Sequence, residues 1–272
     1  MNNIQKDFKV AAVQMVSSTR LDDNLEQAAG LIAQAAESGA QLVALPEYFC
    51  IMGRKDTDKL AIKEAEGAGP IQAFLADQAR KHGIWLVGGS LPLHTDEAQR
   101  IFNTTLVYDP AGRQVARYDK VHLFSFRKGD EAYDESIVIK PGTNSPQVFT
   151  TPFGRVGLSI CYDLRFPEFF RAMGPVDLIV LPSAFTYTTG SAHWEILLRA
   201  RAIENQCYVL APAQGGKHEN GRRTWGHSVL IDPWGEIIAQ VDQDAGVALG
   251  EISPDRMTKV RASLPALQHR TM

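Results

Sequence analysis

Short apolar runs that alternate with helical patterns place the strongest constraint on what this chain can fold into. The segments at residues 8–15 (FKVAAVQM), 41–47 (QLVALPE) and 84–90 (IWLVGGS) have the length and apolar content of buried strands. Between them, residues 24–40 and 69–83 carry apolar side chains at helical spacing. Because strands that are apolar on both faces need cover on both sides, we predict an α/β fold with sheets inside and helices outside.

Turn sequences that combine proline and glycine predict hairpins in addition to these units. They occur at residues 109–112, 152–154 and 232–235. Hairpins join antiparallel strands, whereas strand–helix–strand units join parallel ones, so the sheets should be mixed. No linker, low-complexity tract or repeat of fixed period interrupts the pattern. We therefore expect one domain over residues 1–272, a length that a single large core can accommodate.

The charge and hydropathy of the chain argue against several classes of partner. The net charge is −3 and no basic run occurs, which argues against a nucleic-acid partner or an anionic membrane surface. No apolar run approaches the roughly 20 residues that a membrane span needs. The N-terminal segment lacks the pattern of a secretory leader. We therefore expect neither nucleic-acid binding nor membrane insertion.

The cysteines and histidines predict a reducing compartment and no metal site. The three cysteines, Cys50, Cys161 and Cys207, are odd in number and widely spaced, which argues against a disulfide framework and favours the cytoplasm. The seven histidines form no metal-ligand signature, and no glycine motif for dinucleotide or phosphate binding is present. We expect no metal and no cofactor.

Three polar residues stand on predicted strands or at their ends, where ligands usually bind in α/β sheets. Glu47 closes an apolar strand, Lys120 lies on a hairpin strand, and Cys161 ends the run GLSIC. A cysteine attacks as its thiolate, a carboxylate can take the thiol proton, and an ammonium stabilises the negative charge that develops. Brought together, these three side chains would form a nucleophilic site.

Each of these residues also has a simpler structural interpretation. Cys161 could be an inert core thiol, because free cysteines are among the most buried residues. Glu47 could be a surface or helix N-terminal carboxylate, and Lys120 could be a solvated lysine. Cys50 and Cys207 lie in apolar segments, and we interpret both as core residues.

Four motifs in the sequence resemble those of a known family. LPEYF surrounds Glu47, YDKVHLF surrounds Lys120, DESIVIKPG contains Glu135, and GLSICYDLRFPE contains Cys161. In these motifs and their order, the chain resembles the nitrilase superfamily of carbon–nitrogen hydrolases over nearly its whole length. The resemblance implies a four-layer α-β-β-α sandwich, a catalytic triad of Glu47, Lys120 and Cys161, and a supporting role for Glu135. It also implies a small-molecule amide substrate and a homodimer packed through helices, or a larger homo-oligomer.

The C-terminal half resembles a branch of this superfamily that hydrolyses 2-oxo-amides bearing a carboxylate. Such a substrate, for example deaminated glutathione, needs a cation, and Arg165 follows the predicted nucleophile by four residues. Phe185 in the segment PSAFTYTTG is expected to line the substrate site, and the backbone N–H of Tyr162 is expected to face a substrate oxygen. Arg199 has the helical spacing to form a structural ion pair with Glu195.

The resemblance implies acyl transfer through a thioester. Glu47 would take the thiol proton and return it to the leaving amine or ammonia, while Lys120 and the Tyr162 N–H would stabilise the oxyanion. Other substrates of the superfamily remain open: α-ketoglutaramate, N-carbamoyl amino acids, aliphatic amides and nitriles. Two further hypotheses are a non-catalytic binding protein on the same fold and a cysteine–histidine peptidase that uses His193 or His227.

Overall fold

Two β-sheets packed face to face form the centre of the molecule. The structure is a computed structural model, and it describes residues 7–129, 131–143 and 145–271. The strands of the first sheet are β1 (Phe8–Gln14), β2 (Leu42–Ala44), β3 (Trp85–Val87), β4 (Leu91–His94), β5 (Ile101–Tyr108), β6 (Gln114–Asp119) and β17 (Gly246–Ile252). Their order is β17-β1-β2-β3-β5-β4, and β6 also pairs with β5. Parallel pairing of β1, β2 and β3 beside antiparallel neighbours makes this sheet mixed.

The second sheet is mixed as well. Its strands are β9 (Gln147–Thr151), β10 (Gly154–Leu158), β11 (Leu178–Val180), β12 (Tyr208–Ala211), β15 (Val229–Ile231) and β16 (Ile237–Gln240), in the order β16-β15-β12-β11-β10-β9. Two short hairpins stand apart from the sheets: β7 (Ser125–Lys128) with β8 (Glu131–Asp134), and β13 (Gly215–Lys217) with β14 (Arg223–Trp225).

Helices cover the outer face of each sheet. They are α1 (Leu21–Glu37), α2 (Pro70–His82), α3 (Pro167–Ala172), α4 (Tyr187–Asn205) and α5 (Pro254–Ser263), with short 3₁₀ helices at Asp56–Ile62, Glu135–Ile137, Cys161–Arg165 and Ala266–Gln268. Alternate residues of β1 divide between two cores. Val10 and Ala12 pack in the core shared with the second sheet and α4, and Ala11 and Val13 pack in the core under α1 and α2. The predicted four-layer α-β-β-α sandwich is thereby confirmed.

Local sequence signals located several elements well. Helix α2 begins at Pro70 and ends before Gly83, whose φ of +63° is the left-handed conformation that glycine adopts readily. The hairpin turns at residues 109–112, 152–154 and 232–235 all connect antiparallel strands. Predicted strand ends were less accurate, since β2 stops at Ala44 rather than at residue 47, and the strand before Cys161 stops at Leu158.

The early end of β10 changes the setting of Cys161. The chain leaves the strand and enters the 3₁₀ helix Cys161–Arg165, so Cys161 lies on a tight turn and not on the strand itself. Its φ is +47°, a left-handed value that is uncommon for a residue with a side chain. Hydrogen bonds from the amides of Ser159 and Cys161 to the carbonyls of Val180 and Pro182 still hold the segment beside β11.

Some elements had no clear local signal. Strand β17 pairs with β1 along seven residues, yet its side chains are only partly buried and include two glycines. Within the described residues, no helix is long and apolar enough to span a membrane. The prediction that the N-terminal segment lacks a secretory leader rests largely on residues 1–6. These residues lie outside the described part of the chain.

Candidate active site

Glu47, Lys120 and Glu135 meet in one buried cluster of charges. The ammonium Nζ of Lys120 lies 2.8 Å from Glu47 Oε1, and 3.0 and 2.8 Å from the two carboxylate oxygens of Glu135. The side chains of Lys120 and Glu47 are buried, with exposed fractions of 0% and 1%. These values rule out the solvated lysine and the surface carboxylate that each sequence position alone also allowed.

The two carboxylates keep Lys120 charged in spite of its burial. Burial alone would lower the pKa of this lysine, but the attraction of Glu135 and then of Glu47 outweighs it and raises the pKa well above the usual range. Burial raises the pKa of Glu47, and the ammonium of Lys120 opposes that effect only in part. The cluster therefore favours the charged form of Lys120, and the burial of Glu47 favours proton uptake by its carboxylate.

Glu135 is fixed by hydrogen bonds from two further parts of the chain. The hydroxyl of Tyr48 donates to Oε1 at 2.9 Å, and the backbone N–H of Phe124 donates to Oε2 at 2.7 Å. Both oxygens also accept from Lys120, so this carboxylate orients the ammonium. The supporting position implied for Glu135 thus fits its contacts, and its role in catalysis stays a prediction.

Asn103 belongs to the cluster and was missed from the sequence. Its side-chain Nδ2 donates to Glu47 Oε1 at 2.9 Å, and its backbone carbonyl accepts from the Lys120 amide at 2.9 Å. Asn103 is fully buried in the middle of β5, in the apolar run IFNTTLVY. A buried amide in an apolar strand costs free energy unless it is hydrogen-bonded, and that mismatch was the available signal.

Cys161 lines the same cleft as Glu47 and Glu135, in surroundings that favour the protonated thiol. Burial raises the pKa of the thiol well above its usual range, the charge of Glu47 raises it further, and the charge of Lys120 opposes both. The side chain is 7% exposed and lines an open cleft, whereas Cys50 and Cys207 are fully buried. Burial raises the pKa of each of these two thiols to about 12. Their interpretation as core residues is confirmed.

Asp163 holds the turn that carries Cys161. Its Oδ2 accepts from the Ile160 amide at 2.8 Å and from the Tyr118 hydroxyl at 2.6 Å. Its Oδ1 lies 3.2 Å from the amide of His122 and 2.7 Å from that residue's Nδ1. This buried carboxylate ties the turn in the second sheet to residues at the end of β6, the strand that leads to Lys120. Sequence reasoning did not single it out.

The cleft above Cys161 has a volume of about 720 Å³ including its open mouth, and Tyr162, Arg165 and Phe185 all line it. The guanidinium carbon of Arg165 lies 5.7 Å from the ring centre of Tyr162 and 5.5 Å from that of Phe185. Its nitrogens lie 3.3 Å from Nδ1 of His193, and no acidic side chain among the described residues forms an ion pair with it. Arg165 thus presents an uncompensated cation to the cleft, as a carboxylate-binding residue would.

The two histidines considered as partners of Cys161 have other contacts. His193 lies against Arg165, and Nδ1 of His227 lies 2.8 Å from the carbonyl of Trp225, on whose ring it also stacks. Neither histidine is among the residues that line the cleft with Cys161, which argues against a cysteine–histidine peptidase. On α4, the predicted ion pair of Arg199 with Glu195 is present at 2.9 Å. Within the described residues, no group of three or more potential ligands is placed to hold a metal ion.

A cysteine on a tight turn beside a buried glutamate and lysine, between two stacked sheets, has the layout of a hydrolase that works through a thiol nucleophile. The family model described as "Carbon-nitrogen hydrolase" matches residues 9–262, and the chain belongs to this family. The resemblance to the nitrilase superfamily noted in the sequence is thus confirmed.

Curated relatives and solved structures agree with this family. The deaminated glutathione amidase of Synechocystis sp. is 44% identical over 270 residues, which cover 97% of this chain and 98% of that protein. The human deaminated glutathione amidase is 38% identical over 267 residues, covering 96% of this chain and 81% of that protein. The structure of Saccharomyces cerevisiae Nit3, a member of branch 10 of the nitrilase superfamily, is 29% identical with a TM-score of 0.88, covering 98% and 97% of the two chains. An amidase from Nesterenkonia sp., with acrylamide added to its active-site cysteine, is 28% identical with a TM-score of 0.79, covering 96% and 99%.

Proposed function

We propose that this protein is a cysteine-dependent amidase that hydrolyses a linear amide bond in a small carboxylate-bearing substrate such as deaminated glutathione. The observation that carries the proposal is the convergence of Glu47, Lys120 and Cys161 at a cleft into which Arg165 presents an unpaired cation. The amidases among the relatives support the reaction class, and the name of the relatives at 38–44% identity supports the substrate.

Acylation begins with the neutral thiol of Cys161. Its sulfur adds to the amide carbonyl carbon while Glu47 takes the thiol proton, and the carbonyl oxygen becomes an oxyanion. Lys120 stabilises the oxyanion mainly through its charge, because its ammonium already donates to Glu47 and Glu135. The backbone N–H of Tyr162, next to the nucleophile, is the proposed second donor to the oxyanion.

Collapse of the tetrahedral intermediate breaks the carbon–nitrogen bond. Glu47 returns the proton to the departing nitrogen, so that a neutral amine or ammonia leaves and a thioester on Cys161 remains. Water then adds to the thioester carbonyl, with Glu47 taking a proton from it. The carbon–sulfur bond then breaks and Glu47 returns the proton to the sulfur, which releases the carboxylic acid product and restores both the thiol of Cys161 and the carboxylate of Glu47. The acid then ionises to its carboxylate.

We also propose a single domain over the whole chain, a cytoplasmic location and a homodimer or larger homo-oligomer. One core contains residues of both sheets and the other lies under α1 and α2 on the first sheet, so the first sheet joins the two cores, which supports one folding unit. All three cysteines are free, which supports a reducing compartment. Ile196 and Ile203 of α4 and Trp234 are large apolar side chains that are 49–70% exposed, and such side chains support a contact between subunits.

Replacement of the nucleophile tests the proposal. In Cys161→Ala we expect hydrolysis of deaminated glutathione to fall at least ~1,000-fold, because no thioester can form. Release of cysteinylglycine measures the rate, and mass spectrometry of the quenched wild type should detect an acyl adduct on the peptide that contains Cys161. Cys207→Ala, which removes a core thiol, is the control and should keep its activity. Near-normal turnover in Cys161→Ala, or an acyl adduct on another residue, would contradict the mechanism.

A further inference from the structure

A second group of cations lines the same cleft and takes no part in the mechanism above. Lys59, on the 3₁₀ helix Asp56–Ile62, and Arg222, in the loop between β13 and β14, come from distant parts of the chain. Both converge on Asp56, at 3.5 and 2.8 Å. Two positive charges against one carboxylate make this group locally positive, although Glu47, Asp134 and Glu135 also line the cleft.

The ammonium of Lys59 has more N–H donors than hydrogen-bond partners among the described residues. Its side chain is 8% exposed, and the one hydrogen bond that the structure gives its ammonium is the long contact with Asp56. The ammonium also lies 4.2 Å from the ring centre of Tyr48. Burial lowers the pKa of Lys59 despite the attraction of Asp56. A buried ammonium with three N–H groups and so few partners has the chemistry to accept an anion.

Arg222 is less buried and faces the same space. Its guanidinium carbon lies 5.6 Å from the ring centre of Tyr133, another residue of the cleft lining. The arginine side chain is 29% exposed, so part of it remains accessible to a ligand. A third cation, Arg223, also lines the cleft and stacks on Tyr187 at 3.7 Å.

The position of this group indicates which part of the substrate it contacts. Tyr48, whose ring faces Lys59, directly follows Glu47, and Glu47 is the group that protonates the departing nitrogen in the proposed mechanism. Arg165 has a separate set of neighbours, Tyr162, Phe185 and His193, and follows the nucleophile in the chain. In the proposed mechanism, the amine portion of the substrate leaves beside Glu47, on the side of the cleft where Lys59 contacts Tyr48.

We propose that Lys59 and Arg222 form a second carboxylate subsite, which binds a carboxylate on the amine portion of the substrate. The preferred substrates are then amides with one carboxylate on the acyl side, held by Arg165, and another on the amine side. This inference rests on the proposed amidase function and refines its substrate class. It predicts that primary amides, which release only ammonia, are poorer substrates than such N-substituted amides.

A matched pair of substrates tests the subsite: deaminated glutathione and its analogue in which the terminal glycine carboxylate is a carboxamide. We expect kcat/KM of the wild type to be at least tenfold higher for deaminated glutathione than for the carboxamide analogue. In Arg222→Gln, kcat/KM for deaminated glutathione should fall at least tenfold, mainly because KM rises. For the carboxamide analogue, kcat/KM should fall less than about twofold. Lys59→Met should act in the same direction, and its retained activity on the carboxamide shows that the variant folds.

The control is Arg20→Gln, because Arg20 also pairs with an aspartate, Asp23, but lies exposed on the surface. It should change neither kcat/KM. Equal losses for both substrates in Arg222→Gln would overturn the subsite and make the group structural, as would a wild type that does not distinguish the two amides. Neither result touches the amidase proposal. That proposal fails by a different outcome, in which the wild type hydrolyses neither amide.

Discussion

At Cys161, burial and the carboxylate of Glu47 both favour the neutral thiol, and the ammonium of Lys120 opposes them only in part. Lys120 is itself held by two carboxylates, Glu47 and Glu135, so the cluster already carries more negative than positive charge. A thiolate would add a further negative charge in a buried place, which is costly. These charges favour the protonated thiol, and in the proposed mechanism Glu47 receives the proton when the sulfur attacks the substrate.

Arg165 allows a prediction at the same scale. Arg165→Ala should lower kcat/KM for deaminated glutathione at least about tenfold, or roughly 1.4 kcal/mol, because a forked donor to the substrate carboxylate is lost. Arg165→Lys should not restore it, since a single ammonium cannot form the paired hydrogen bonds. Steady-state kinetics with this substrate and an uncharged amide of similar size provide the measurement. If kcat/KM falls equally for both amides, Arg165 has a structural role and the carboxylate is bound elsewhere.

At the scale of elements, the turn from β10 into α3 decides where the thiol lies. Cys161 has a left-handed φ of +47°, and the segment is held on one side by bonds to the loop after β11 and on the other by Asp163. Asp163 also accepts from Tyr118 and His122, which lie on either side of Lys120 in the chain. One buried carboxylate thus links the turn that carries Cys161 to the segment that carries Lys120.

Asp163→Asn tests this coupling. An amide in place of the carboxylate directs N–H groups at donors that need an acceptor, so we expect a loss of about 3 kcal/mol in the free energy of unfolding. We also expect kcat to fall, because the thiol is no longer held in position. Urea unfolding and kinetics on the folded protein measure the two effects.

The matched control is Asp232→Asn. Asp232 is also buried and accepts from the amides of Trp234 and Glu236, but in a hairpin turn of the second sheet. It should lose stability and keep its kcat. If Asp163→Asn behaves in the same way, with stability lowered and kcat unchanged, Asp163 does not position the nucleophile.

At the scale of the whole molecule, each sheet contributes different residues to the candidate active site. The loops and strand ends of the first sheet supply Glu47 and Lys120, and the second sheet supplies Cys161. Two other thiols are also buried: Cys207 in the core that contains residues of both sheets, and Cys50 in the core under α1 and α2. Burial raises the pKa of both to about 12, so the folded state keeps their protons at a pH where the unfolded chain has released them.

These two thiols predict a fall in stability at alkaline pH. For a group with a raised pKa, the free energy of unfolding is unaffected below the unfolded value, near 9.0, and declines as pH rises toward about 12. The slope is about 1.4 kcal/mol per pH unit for each thiol, or roughly 4 kcal/mol for the pair between pH 8 and 10.5. Urea unfolding at both pH values measures it. The variant Cys50→Ala/Cys207→Ala should lack this part of the decline, and an identical pH dependence in both proteins would show that these thiols do not govern it.

Much of the fold and the core of the site could be read in the sequence. Periodicity and turn residues located α2 and the hairpins, and the motifs singled out Glu47, Lys120 and Cys161, because these signals are local. Strand ends were misplaced, since an apolar run such as residues 156–160 continues past the point where strand pairing stops. Pairing depends on the neighbouring strand, which local sequence does not describe.

By itself, the sequence determined the α/β class and the likeness to one family, and it singled out the residues that we propose for the chemistry. Only the tertiary structure decided their state: that Lys120 is buried, that it bridges Glu47 and Glu135, and that Asn103 completes the cluster. The same holds for Lys59 and Arg222, which meet at Asp56 across more than a hundred residues of chain. Burial, hydrogen bonding and pKa depend on contacts between segments far apart in the sequence, and those contacts exist only once both sheets have packed together.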